Sequence, residues 1–447
     1  MIVLLLPEKI FTSKTKYDTV LVGGIMARNR RNKREVKKVV QAIPLKTFLV
    51  LLVILIMIIL ACLLIIFYRN KQEKQLLTQQ REELDKAIFA IYEETERNIA
   101  NSNETVRDAI IRISAVGDIL CGNEMLADAY HQETETYDFS PMFQNITSFI
   151  SRSDIVVGTM ETNFTENNYS GYGNRNSPKE FAQAVKNSGV NLVTLSTNHG
   201  LDYGVDGLQA TKETLRELEF DTVGDNLGDN SVMIKNVKGT KIAFLSYTYG
   251  VENQTKKSKE ELAAINIYSE EKAKKELEYA KENADYIFVI MHWGEPYATT
   301  PSNQQKEIAD FFVKNGANVI LGNHPAAIQP MEIRKNEEEK NVLVAYSLGN
   351  YISSIANDIS KVELVLNIEL RKSGQDGTVV LSKVDYTPIY VLDHGAKAEN
   401  RYELIDMKGV ARAYADGNQE IVTKKIYHKL IEGLKLLEKV IPTEKEE

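Results

Sequence analysis

The chain is predicted to carry an α/β body, a sheet core covered by helices, preceded by one transmembrane helix. Three observations lead there. From residue 109 onward, short apolar runs alternate with amphipathic helical stretches, the pattern that builds a helix-covered sheet. Thr47 to Tyr68 reads TFLVLLVILIMIILACLLIIFY, 22 residues without a charge, and roughly 20 apolar residues cross a bilayer core. Charge divides at the same place. Residues 1–68 hold 11 Lys/Arg and 3 Asp/Glu, a balance of +8; of the whole chain's 54 and 62, the remainder keeps 43 and 59, a balance of −16. So acidic a body argues against binding a nucleic-acid backbone.

Residues 1–46 read as a basic cytoplasmic segment. Met26 opens MARNRRNKREVKK, an ordinary cytoplasmic head, and is an alternative start to Met1. The span 47–68 is longer than the roughly 7–15 apolar residues of a signal peptide and lacks its small-residue end, so it reads as an uncleaved anchor. Arg28, Arg30, Arg31, Lys33, Arg34, Lys37 and Lys38 precede it. Lys and Arg favour the cytoplasmic side, which places the C-terminal body outside the cell membrane. Arg69, Lys71 and Lys74 soften this orientation without reversing it. Residues 69–108, with Leu76, Leu77, Leu84, Ile88 and Ile91 at roughly helical spacing, read as a helical stalk. Cys62 lies in the span and Cys121 in the body, so the exported part has no internal disulfide to form.

The body is expected over 109–398. Ile111 to Val116 is strand-like and runs to Gly117-Asp118; Asp154 to Val157 is a second strand. Ser177-Pro-Lys-Glu180 has the signature of a helix start, with a cap, a proline and an acid, and that helix stops at Gly189. Val190 to Leu195 is a strand leading to Asn198-His199, and 205–218 is helical. Lys241 to Tyr247 and Tyr286 to Met291 are strands, the second handing over to His292-Trp293-Gly294; 269–283 between them is helical. Ser302-Asn-Gln-Gln305 caps the next helix, which ends at Gly316. Val319 to Leu321 precedes His324, and Val342 to Ser347 leads into Leu-Gly-Asn350. Lys361 to Leu370 alternates with period 2, so one face is buried, and 379–386 pairs with it as a hairpin arm. Residues 399–447 are read as a mostly helical extension.

Asp118, Glu161, Asn198, His199, His292 and His324 all sit at the C-terminal ends of predicted strands. In sheets of this type such ends gather at one edge, where ligands bind. Each residue alone has an ordinary explanation as a turn former, a solvated carboxylate or a packed histidine. Three of the six histidines directly past strands is harder to explain so. Carboxylate, amide oxygen and imidazole together suit a divalent cation such as Zn, Mn or Fe. Such an ion polarises a phosphoryl or carbonyl oxygen. His199, beside a ligating Asn198, is placed to protonate a leaving group.

GDILCGNEM (117–125), GTMETNFT (158–165), TLSTNHGLDYGVDGL (194–208), MHWGEPY (291–297), LGNHPAAIQP (321–330) and YSLGNYIS (346–353) resemble, in this order, the CapA family of poly-γ-glutamate capsule synthesis proteins. That family is similar to the calcineurin-like metallophosphoesterases. The resemblance implies an α/β/β/α sandwich, with Asp118 as first metal carboxylate, Glu161 in the bridging place, Asn198, His292 and His324 as ligands and His199 as proton donor. If the site is catalytic, Trp293 and Glu295 are expected to shape the pocket wall, with Asn350 as a further substrate-binding residue. Two departures stand out. Ala326 holds the place of a second histidine in Gly-x-His-Pro-His, and Leu120 holds the histidine place of Asp-x-His. Both absent histidines belong to the same ion of a two-metal site, so one strong metal site is expected.

Three functional readings remain open. The first is a membrane-anchored protein for making, exporting or anchoring poly-γ-glutamate or a similar polyanionic envelope polymer, alongside membrane subunits of a capsule synthase. The second is a cell-surface metal-dependent phosphoesterase. The third is a scaffold whose site has decayed into a polymer-binding cleft. Fold alone does not choose among them.

Overall fold

The structure, a computed structural model, describes residues 107–441 except 167, 229–230, 399 and 419–421. The basic segment, the predicted span and the stalk up to residue 106 lie outside the described residues. Among the described residues no helix is long and apolar enough to cross a membrane.

Two sheets form the core. Across the first, the strands run in the order Tyr402–Asp406, Val379–Asp393, Val362–Lys372, Ala109–Ile119, Ile155–Met160, Leu192–Thr194 and Asp221–Val223, and the short strand Asn350–Ile352 pairs with the end of Ala109–Ile119. The second runs Met331–Lys335, Asn341–Ala345, Val319–Asn323, Tyr286–His292, Thr240–Thr248 and Met233–Val237. The central strands of each are parallel. Parallel strands are covered on both faces, so they read as continuous apolar runs. Tyr286–His292 and Ile155–Met160 obey this, being buried at every position.

Side-chain packing defines four layers. Ile113 and Leu192 from the first sheet share one apolar cluster with Phe288 and Leu321 from the second, so the sheets pack face to face. The outer face of the first sheet is covered by Met125, Phe181, Leu208 and Leu215 of its helices. The outer face of the second is covered by Ala273 and Leu277 of Glu270–Asn283 and by Ile308 and Phe312 of Asn303–Lys314. The α/β/β/α arrangement is therefore present. The expected cap at Ser302 is also found, its hydroxyl accepting from the Gln305 N–H while the Gln305 side chain accepts from the Ser302 N–H.

Two expectations are corrected. Ser177 does not cap its helix, which runs Lys179–Asn187; its hydroxyl bonds Thr162 Oγ1 at 2.8 Å instead. The C-terminal extension does not begin as a helix. Tyr402–Asp406 joins the edge of the first sheet through Val379–Asp393, and only then follow the helices Met407–Ala415 and Lys424–Val440. Leu430 and Leu437 of the last helix belong to the apolar cluster between the sheets. The hairpin of Val362–Lys372 with Val379–Asp393 is as expected.

One glycine brings the chain close enough to assemble the site. A Cβ on Gly117 would lie 2.0 Å from the Gly349 carbonyl oxygen, so the bare backbone lets Asn350–Ile352 lie beside the end of the first strand. There the Asp118 N–H donates to the same Gly349 carbonyl at 3.0 Å.

Candidate functional site

Three strand ends from two sheets meet at one cleft. Tyr286–His292 ends on His292 itself, Val319–Asn323 delivers His324 as the next residue, and Ile155–Met160 is followed at once by Glu161. Parallel pairing aligns the first two, with Asn323 opposite His292 in register. The sheets are tied at this level by Asn323 Nδ2 donating to Thr159 Oγ1 at 2.7 Å. His324 adopts φ 99° and Ala326 φ 50°. Left-handed backbone at non-glycine residues costs about 1–2 kcal/mol each, and such strain gathers at functional sites.

One donor atom from each of Glu161, His292 and His324 lies within 4.8 Å of the other two, and this group could hold a metal ion. Asn198 adds a fourth, its Oδ1 standing 2.9 Å from His292 Nε2. The His324 Nδ1 is 3.1 Å from the same Nε2. The amide of Asn198 is fixed the right way round because its Nδ2 donates to Glu252 Oε1 at 2.9 Å.

The structure gives Asp118 a different place from the expected one. Like His292 it is buried and absent from the cleft lining, but it stands outside the group formed by Glu161, His292 and His324. Its Oδ2 accepts the backbone N–H of His324 at 2.7 Å, and its Oδ1 faces His292 Nδ1 at 3.5 Å. Both of those facing atoms are buried and without a hydrogen-bond partner. The residues present therefore fit a cation. With the proton on Nδ1 toward the Asp118 carboxylate, Nε2 presents a lone pair where the Asn198 oxygen, His324 and Glu161 also converge. Acceptors so gathered repel one another unless a cation sits among them. A carboxylate behind a ligating histidine is the arrangement that fixes tautomer and ring orientation in metal sites.

Protonation follows from burial. Burial raises the Asp118 carboxyl to about 7, partly offset by the His324 N–H. Burial lowers His292 to about 4 and His324 to about 3, the latter held down further by His292. Both imidazoles are thus neutral at neutral pH, the form that binds metal. As pH falls below the ordinary histidine value of 6.5, the unfolded chain takes up protons these rings refuse, so their contribution to stability is lost between about 6.5 and 3. Asp118 acts oppositely: its contribution is whole below 3.8 and lost as pH rises through 7.

A cation that favours an ionised Asp118 must displace its proton. Mn²⁺ affinity is therefore expected to rise with pH up to about 7 and level off above it, with proton release measurable by titration calorimetry in buffers of different ionisation heat. Asp118→Asn should flatten that rise. An unchanged slope in the variant would assign the proton to another group.

His199 borders the cleft with its Nε2 4.0 Å from Glu161 Oε1. Its Nδ1 is bonded to Asp202 Oδ2 at 2.7 Å, and the Asp202 side chain is almost wholly buried. The carboxylate fixes the ring, leaving Nε2 toward the cleft to give or take a proton.

Of the expected substrate wall, only Glu295 lines the cleft. Trp293 packs with Ile308 and Phe312 on the far side of its sheet, and its indole N–H donates to the Tyr346 carbonyl at 2.8 Å. Successive residues of a strand point to opposite faces, so with His292 turned toward Glu161 and His324, Trp293 is sent the other way. Asn350 is fully buried beside Asp118 in register. Its N–H donates to Glu363 Oε2 at 2.7 Å and its Nδ2 to Ser353 Oγ at 3.1 Å. Glu363 is itself pushed well above the usual carboxylate range by burial.

Sequence reading missed Asp202, Glu252 and Arg175. Asp202 follows His199 by three residues, a local spacing that could have been noticed. Glu252 lies just past the strand Thr240–Thr248, in a strand-end loop of the kind used to find the others. Arg175 has no local signal: its Nη1 bonds Glu161 Oε1 from a loop 14 residues on.

Comparison with known proteins agrees with the motif order. The family model described as bacterial capsule synthesis protein PGA_cap matches residues 112–354, more than half of the chain. The capsule biosynthesis protein CapA of Bacillus anthracis is 27% identical over 299 residues, covering 64% of this chain and 69% of the relative. The PGA biosynthesis protein CapA of Bacillus subtilis (strain 168) is 26% identical over 279 residues, covering 61% and 70%. Among solved structures, calcineurin-like phosphoesterase YfkN from Bacillus subtilis superposes with TM-score 0.40 at 14% identity, covering 75% of this chain and 99% of that one. The NAD nucleotidase NadN of Haemophilus influenzae gives TM-score 0.41 at 14% identity over 75% of this chain, which spans 57% of that structure's length.

Proposed function

The chain belongs to the bacterial capsule synthesis protein family, and from that membership and the cleft we propose that it acts in making, exporting or anchoring an anionic envelope polymer of the poly-γ-glutamate kind, with one metal-dependent hydrolase or transferase site. The observation that carries the site is the convergence of Glu161, His292 and His324, with Asn198 beside them. On this reading the uncharged run 47–68 anchors the chain in the cell membrane as a single pass, with a cytoplasmic N-terminus and an extracellular body. Its partners are then the membrane, the polyanionic polymer and membrane subunits of a capsule synthase.

A divalent ion held by Glu161, Asn198, His292 and His324 would polarise a phosphoryl or carbonyl oxygen and activate water. The chain's own residues do the rest. Asp118 orients His292 and pins the His324 backbone. Glu252 aims the Asn198 oxygen. His199, steadied by Asp202, supplies a proton to the leaving group from Nε2. Leu120 and Ala326 line the same cleft and offer no ligand atom, which supports a single ion.

The test is genetic and chemical together. Deleting the gene from its host is expected to remove cell-bound anionic polymer, with wild-type chain restoring it and His292→Ala not. Unchanged polymer after deletion would contradict the reading. Restoration by His292→Ala would leave the scaffold reading in its place.

A second reading, a metal-dependent phosphoesterase, is favoured by the His199–Asp202 pair beside the cation ligands. It predicts Mn²⁺-dependent hydrolysis of bis(p-nitrophenyl) phosphate. Asp202→Asn should then lower turnover by about 10²-fold or more without changing metal content. Full turnover in that variant would remove the pair from the chemistry.

A further inference from the structure

Three Glu residues, Glu161, Glu252 and Glu295, line the cleft, whereas Arg175 is the one Lys or Arg among the residues described there. Its placement is built rather than incidental. The Arg175 N–H donates to Asp202 Oδ2 at 2.8 Å, so the residue is pinned to the carboxylate that steadies His199. Its carbonyl accepts from the Asn163 backbone N–H at 3.1 Å and from Asn163 Nδ2 at 3.1 Å. Asn163 Nδ2 in turn also reaches the His199 carbonyl at 2.9 Å. From this fixed backbone the guanidinium bonds Glu161 Oε1, and its side chain is 21% exposed against 5% for Glu161. It thus meets the carboxylate on one side and the cleft on the other.

Glu161 is also the carboxylate of the cation-ligand group. A carboxylate has two oxygens and several lone pairs, enough to serve two cationic partners. Leu120 and Ala326, in the same lining, themselves offer no donor atom to a second ion beside it. The guanidinium is always charged, is planar and presents a fork of N–H donors matched to phosphate and carboxylate.

We propose that Arg175 is the permanent second cation of this site: its guanidinium neutralises the outer side of Glu161 and, together with one metal ion, grips an oxyanion of the substrate, phosphoryl or carboxylate. The metal sets the inner contact and Arg175 the outer one. Arg175 is therefore a substrate-binding residue, and the anionic substrate is received in an otherwise acidic cleft at this pair alone. This rests on the one-ion reading above, and the experiment separates the two.

Full-length wild type, Arg175→Gln and Arg175→Lys are compared for Mn²⁺ stoichiometry by elemental analysis after dialysis. The Mn²⁺-loaded proteins are then titrated with inorganic phosphate and, separately, with a γ-linked glutamate dipeptide. Thermal melting checks that each variant is folded. The expected result is one Mn²⁺ per chain in all three. Affinity for whichever probe wild type binds more tightly should fall by about 10-fold in Arg175→Gln. Arg175→Lys, which keeps the charge and loses the fork, should lie between. Which probe wild type prefers identifies the oxyanion as phosphoryl or carboxylate. Unchanged affinity for both probes in Arg175→Gln, with one ion retained, would overturn the role of Arg175 alone. Should Arg175→Gln fail to fold, wild-type affinity in Arg175→Lys would overturn the fork. No bound Mn²⁺ in wild type would overturn the one-ion reading and this proposal with it, and two bound ions would show that the second cation is a metal.

Discussion

His292→Ala is expected to strip the chain of its ion, lowering Mn²⁺ affinity by at least about 100-fold, since loss of even an outer partner of a ligand costs 10–100-fold. The reason is geometric. His292 Nε2 is the hub of the site, 2.9 Å from Asn198 Oδ1 and 3.1 Å from His324 Nδ1, and its Nδ1 is the atom that faces Asp118. Removing the ring deletes a ligand and leaves a buried carboxyl with no imidazole before it. Metal-supported activity and metal-induced thermal stabilisation should disappear together. Equilibrium dialysis with Mn²⁺ and melting curves with and without the ion check both. Undiminished affinity in His292→Ala would place the ion elsewhere.

Gly117→Ala should have the largest effect on folding itself. Its Cβ would sit 2.0 Å from the Gly349 oxygen and 2.5 Å from the Gly349 carbon. These are backbone atoms, so no side chain can rotate away, and the short strand Asn350–Ile352 must separate from Ala109–Ile119. A cost of several kcal/mol is expected for such overpacking, a fall in Tm of roughly 10 °C in a body of this size. Metal affinity should fall as well, because Asp118 is the next residue. Gly228→Ala is the control, since a Cβ there meets nothing within 4 Å. Equal melting temperatures for the two variants would show that the strands are not held this closely.

These expectations rest on features that were unequally legible in the sequence. The histidine loops could be found because each follows an apolar run that is buried on both faces, so a polar residue at its end stands out. His292, His324, Asn198, His199 and Glu161 stand out in this way, and the structure brings them together, all but His292 lining one cleft. Asp118 stands out equally well at a strand end, yet it is fully buried where Asn350–Ile352 pairs beside that end. Periodicity cannot show which strand end gains a further pairing strand. Trp293 and Asn350 neighbour site residues in sequence and in register, yet strand alternation sends Trp293 to the far side of its sheet and Asn350 is buried where its own strand pairs beside Asp118. Glu252 follows a strand end and could have been found by the same rule, whereas Arg175 acts through tertiary contact from a segment with no local pattern. In the C-terminal extension, YELID is too short an apolar run to distinguish from a helix start, and only pairing with Val379–Asp393 makes it a strand.

The alternation of short apolar runs with amphipathic segments was sufficient for the helix-covered sheet, because each layer must bury one face. That the core consists of two sheets rather than one depends on which strands pair, and residues such as Phe288 and Ile113 meet only across that interface. The strain at His324 and Ala326 likewise appears only in three dimensions, since neither residue type announces a left-handed backbone.

The central claim is that the cleft holds one ion, with the Arg175 guanidinium as its only other cation among the described residues. Its most direct test is the number of Mn²⁺ ions retained by the purified full-length wild-type chain after exhaustive dialysis, counted by elemental analysis against protein concentration. One ion per chain is the expected result. Two tightly held ions, or none, would contradict it.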